Sequence, residues 1–117
     1  MKSPFKIITL FLLVFSCASS QNLAQDFAGV KSGMSREQVR SILGDPGLST
    51  VAVLPRQPFF GPQESLVQFL NPGASYEEWQ YTDGETIYLI WFGDTEEGSQ
   101  ETWTVVTKFS YPKGAVF

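Results

Sequence analysis

The sequence predicts an α+β domain: two short helices packed on a three-stranded antiparallel β-meander. Two observations carry that expectation. The stretch "SGMSREQVRSILGDPG" holds every start and stop signal of a capped amphipathic helix, and everything after Tyr76 reads as alternating strands split by turn residues.

The N-terminus is built for export. Lys2 and Lys6 precede an apolar run from Ile7 to Phe15, broken only by Thr9, and small residues follow from Ser16 to Ser20. Nine residues are far fewer than the roughly 20 that a spanning helix requires. Two processing routes fit this pattern. Cleavage near Ser20 would release an unanchored protein. The segment "VFSC" instead resembles a bacterial lipobox, in which Cys17 receives a diacylglycerol and becomes the new N-terminus. That reading is preferred, because it explains why the only cysteine of the chain stands at the end of its only long apolar run. Two or more acyl chains hold a protein firmly at a membrane, whereas one is marginal. Residues 1–16 are therefore expected to be a lipoprotein signal peptide, and residues 17–22 a lipidated tether.

Loss of Lys2 and Lys6 takes the net charge from −4 to −6, which disfavours a nucleic-acid partner. The chain has no histidine, so the residue that most metal sites and most acid–base sites use is missing. With Cys17 acylated, a thiol nucleophile is missing too. No enzyme activity, metal or cofactor is expected.

The domain proper is placed at residues 23–111, with 112–117 as a C-terminal tail. In "NLAQDFAGV", Leu23, Phe27 and Val30 recur at i, i+4 and i+7, predicting a short amphipathic helix that must pack to survive. In the second helix, Ser35 and Gln38 make a capping box and Met34 precedes the cap as a hydrophobic staple toward Val39. Val39, Ile42 and Leu43 form its apolar face, and Arg36, Glu37 and Arg40 are assigned to water. Gly44 is expected in the left-handed position after the helix, and Pro46 prevents continuation. "LSTVAVL" is a strand or an extended segment. Residues 55–75, rich in Pro and Gly, form a long insertion in which "ESLVQFL" has the makings of one or two helical turns. Phe59 and Phe60 lie in this insertion and are the candidate partner-binding residues. From Tyr76, Glu77, Trp79 and Tyr81 alternate against Tyr76, Glu78 and Gln80, and Asp83-Gly84 marks a tight turn. "ETIYLIWF" follows as the most apolar strand and "TWTVVTKFSY" as the last, across a polar loop.

Gly33, Met34, Ser35, Val39, Leu43, Gly44 and Pro46 together spell a helix signature similar to that of the BamE-like small lipoproteins (the SmpA/OmlA group). Trp79 and Tyr81 fall where that family's first meander strand carries an aromatic pair. The resemblance implies an outer-membrane lipoprotein facing the periplasm, acting as an adaptor in the β-barrel assembly machinery or a related envelope role. The same plan also occurs in a secreted inhibitor, so an exported inhibitor or ligand-binding module is the alternative. The helix signature itself consists of capping and core positions and specifies a fold more than a chemistry. The pair Glu77–Glu78 points to opposite faces of a strand and cannot converge on one substrate. That pair and Glu96–Glu97 are read as solvated surface.

Overall fold

The computed structural model describes residues 22–94 and 100–117. The signal peptide, Cys17, nearly all of the tether, and Glu96 and Glu97 lie outside the described residues. Helices α1 (Leu23–Ala28) and α2 (Arg36–Leu43) precede strands β1 (Leu48–Val53), β2 (Ser75–Asp83), β3 (Thr86–Gly93) and β4 (Thr104–Pro112). The strands form one antiparallel sheet in the order β1-β2-β3-β4. The α+β class holds, but the sheet has four strands where the sequence predicts three. "LSTVAV" is the added one, and its register runs from Leu48 opposite Gln80 to Val53 opposite Ser75. Leu48, Val51 and Val53 remain about half exposed, so the strand never acquires the apolar alternation that makes the others legible.

Local chemistry sets each helix. Asn22 caps α1 by accepting the Gln25 N–H at 3.1 Å, which makes it the first residue of the fold rather than the last of a tether. The helix stops at Ala28, and Val30 reaches the core from the connector that follows. At α2 the capping box is complete: Ser35 Oγ accepts from Gln38 N–H at 3.1 Å, and Gln38 Oε1 accepts from Ser35 N–H at 2.9 Å. Val39 is fully buried, and Met34 and Leu43 pack against the same cluster.

Gly44 ends α2 at φ +82°, ψ −172°. This is not the left-handed helical conformation that the sequence predicts but an extended positive-φ region that is essentially reserved for glycine. The Tyr81 hydroxyl donates to Gly44 O at 2.7 Å and ties the helix end to β2. Pro46 then lies in the short link to β1. In the β2–β3 hairpin Asp83 pairs with Thr86, so the loop is Gly84-Glu85, with Gly84 at φ +54°. The turn is thus centred one residue later than the Asp83-Gly84 pair suggests.

Both faces of the sheet are covered. On one, Phe27, Val30 and Val39 meet Trp79, Tyr81, Tyr88, Ile90, Phe92, Trp103 and Val105. The other carries a second core, Leu54, Leu66, Leu70, Tyr76, Leu89, Trp91 and Val106. Its cover is the 55–75 insertion, where "PQESLVQ" (Pro62–Gln68) forms a 3-10 helix that buries Leu66. The insertion is therefore a structural layer, and the domain is a three-layer arrangement of helices, sheet and 3-10 segment.

Capping and glycine effects separate in thermal melts. Ser35→Ala should cost about 1 kcal/mol through loss of the cap. Gly44→Val should cost about 1–3 kcal/mol from backbone strain alone, because no atom lies within 4 Å of a Cβ built there. Melting temperatures unchanged in both variants would contradict this account of α2.

Candidate partner-binding groove

The position of the groove follows from two adjacent carboxylates. Successive side chains of a strand leave opposite faces, so Glu77 turns toward the helices and Glu78 toward the 3-10 segment. On the helix side, Glu77 Oε1 pairs with Arg36 Nε at 2.7 Å, and Oε2 accepts from Ser49 Oγ and Trp79 Nε1, each at 2.9 Å. Arg36 also donates to the Gln100 carbonyl at 3.0 Å and lies 5.9 Å from the Trp103 ring centroid. On the other side, Glu78 Oε1 accepts from Trp91 Nε1 at 2.8 Å and from Gln63 Nε2 at 2.7 Å.

The assignment of Glu77–Glu78 to solvated surface is thereby corrected. The two do diverge, but each is half-buried and bonded into its own face. Arg36 is likewise no solvated residue: it carries the ion pair that holds α2 to β2. The indole N–H groups explain this, because a buried tryptophan needs an acceptor. The link between Glu77 and Trp79, two positions apart on one strand, was available from the alternation. The link from Glu78 to Trp91 and Gln63 needs the strand register and was not.

Burial pushes the Glu77 carboxyl up, but hydrogen bonds from Trp79, Arg36 and Ser49 outweigh it and hold its pKa below the ordinary value. Burial also raises the Tyr81 hydroxyl to about 12. Lys108 is shifted down, first by burial and then by Lys31, while its ammonium donates to the Phe27 carbonyl at 2.7 Å.

Gln63, held by Glu78, fixes the start of the 3-10 segment, and the chain before it folds into a groove of roughly 640 Å³. Pro55, Pro58, Phe59, Phe60, Val67 and Pro72 supply its apolar lining, with Arg56 and Glu64 as the charged groups. The structure divides the two candidate aromatics. Phe59 is half-buried against the second core, whereas Phe60 is 87% exposed. Val67 and Phe69 are also exposed on this segment. The helix-signature residues Gly33, Met34, Ser35, Gln38, Val39, Leu43, Gly44 and Pro46 belong to α2 and its flanks, and none of them lines the groove.

No family model, no curated protein and no solved structure matches the chain. The groove is therefore judged on its own chemistry: a proline- and aromatic-lined concavity that also carries Arg56, Gln57, Glu64, Ser65 and Gln68. Such a lining can bury apolar side chains of a partner and hydrogen-bond the groups beside them.

Removing Glu77 tests the linkage with a defined pH dependence. Its native pKa lies below the unfolded value, so its stabilisation is fully present above roughly pH 4.3 and is lost as pH falls through the native value. Glu77→Ala should cost about 2–3 kcal/mol at neutral pH, because it strands the Trp79 indole and the Arg36 guanidinium. The gap from wild type should narrow in acid. A gap independent of pH, measured by denaturant unfolding, would contradict the charged linkage.

Proposed function

We propose that this protein is a lipid-anchored, non-enzymatic adaptor of the bacterial cell envelope, which grips a protein partner through the groove of the 55–75 segment. The observation that carries the reading is Phe60, a large aromatic ring left 87% exposed beside a groove whose neighbouring aromatic, Phe59, packs into the core. Aromatic side chains, phenylalanine included, are enriched at protein interfaces, where a few anchors carry most of the binding energy. Two sequence features support the rest: the "VFSC" segment supplies a membrane anchor at Cys17, and the signature around α2 resembles the BamE-like lipoproteins. That resemblance makes the outer membrane, on its periplasmic side, the proposed location, and the β-barrel assembly machinery or a related envelope complex the proposed partner.

A second reading, an exported inhibitor or ligand-binding module, rests on the size of the same groove. Its roughly 640 Å³ falls in the range of small-molecule sites.

One experiment on crosslinked envelopes separates these readings. Mass spectrometry of the mature chain should find lipid on Cys17, and Cys17→Ser should block acylation and alter processing. Phe60→Ala should fold normally, since its ring is exposed, yet weaken partner recovery by about 2 kcal/mol or more. An unmodified N-terminus near Gln21 would overturn the anchor. Undiminished recovery by folded Phe60→Ala would overturn the groove as the contact surface.

A further inference from the structure

The two edges of the sheet are treated differently, and the difference points to a second interaction. The outer edge of β4 is occupied at its start, Thr104 to Val106. Gly33 N–H donates to Val105 O and Val105 N–H donates to Met34 O, both at 2.8 Å, and Ser32 Oγ donates to Val106 O at 3.0 Å. Ser35 completes an isolated antiparallel bridge with Thr104, the register shift between Trp91 and Phe92 puts a bulge at Val106, and the rest of the strand carries Lys108 and ends at Pro112. The outer edge of β1 has no such cover among the described strands. Leu48–Val53 contains no charge and no proline, devices by which edge strands are usually protected.

The ladder fixes which backbone groups face outward. Leu54 N–H donates to Ala74 O at 2.8 Å and stands one step beyond the Val53–Ser75 pair. By the alternation of an antiparallel pair, Leu48, Thr50 and Ala52 turn inward to β2, and Ser49, Val51 and Val53 present their N–H and C=O groups outward. Val51 and Val53 are also 53% and 59% exposed, on the helix side of the sheet beyond the reach of α1 and α2.

We propose that β1 pairs antiparallel with β1 of a second copy of this chain, about a two-fold axis through Val51, to give a continuous eight-stranded sheet. In that register Val51 meets Val51 and Ser49 meets Val53, so the exposed valines of both copies form one apolar cluster across the seam. Charge selects the antiparallel sense. The Arg40–Asp45 ion pair, 2.8 Å long and with the Asp45 side chain 81% exposed, precedes the strand, and exposed Arg56 follows it. Antiparallel pairing brings Arg56 of one copy to the exposed Asp45 carboxylate of the other copy's ion pair, whereas parallel pairing sets Arg56 against Arg56. The strand between is neutral, so the seam holds no repulsive pair despite the net negative charge of the chain. This contact runs along the β1 edge and shares Arg56 with the groove, but its strand pairing stands whether or not the groove binds a partner.

Sedimentation of the full mature chain in detergent over a range of concentrations is the test. A reversible monomer–dimer equilibrium is expected. Val51→Lys, a change at an exposed position, should weaken it about tenfold, because two ammonium groups then meet directly across the seam. Val51→Cys in a Cys17→Ser chain should oxidise to a covalent dimer, since directly opposed residues lie about 5.5 Å apart, within disulfide reach. Val67→Cys, exposed on the 3-10 segment, should not. A chain monomeric at every concentration, a dimer untouched by Val51→Lys, or equal crosslinking through Val67→Cys would each overturn the proposal.

Discussion

Everything in this small domain depends on one consequence of β geometry, that neighbours on a strand face opposite ways. At Glu77–Glu78 the alternation places two carboxylates back to back through the centre of the sheet. Each accepts an indole N–H on its own side, from Trp79 or from Trp91, and each then holds the layer above it, α2 through Arg36 or the 3-10 segment through Gln63. Buried carboxylates without such donors would be costly. With them, the half-buried charges fix the angle and register of both covering layers, a task that apolar packing performs less specifically.

Coverage of both faces also answers how a short chain without disulfides finds enough apolar surface to bury. The described residues, 22–94 and 100–117, number 91, a size at which one-sided coverage of a sheet gives a thin core. Here Trp79 and Phe92 meet in a tilted contact on the helix side with ring centroids 4.7 Å apart, while Trp91 packs near Phe109 on the opposite side. The 55–75 segment thus has two faces. Leu66 and Leu70 point inward as core, and Phe60, Val67 and Phe69 are exposed.

How much of this was legible in the sequence depended on whether the determining interaction was local. The α2 caps, its buried Val39 and the strands β2 to β4 were legible because capping signals and period-2 alternation lie within a few residues of one another. The left-handed expectation at Gly44 failed on ψ, which responds to the Tyr81 hydroxyl on a distant strand. Strand β1 was ambiguous because its valines point away from the core. The 3-10 layer was read as a long connection because its partners, Trp91 and Leu89, lie more than 20 residues away. Of the two candidate aromatics, composition alone could not say that Phe59 tucks in while Phe60 stays out, since both sit in the same proline-rich run.

The most direct test of the central claim is hydrogen exchange at the indole and backbone N–H groups, followed by NMR in Glu78→Ala. If the two faces are held by separate carboxylates, the Trp91 indole and the amides of residues 62–70 lose protection. The Trp79 indole and the α2 amides should keep theirs. Equal loss on both faces, or no loss on either, would contradict the account.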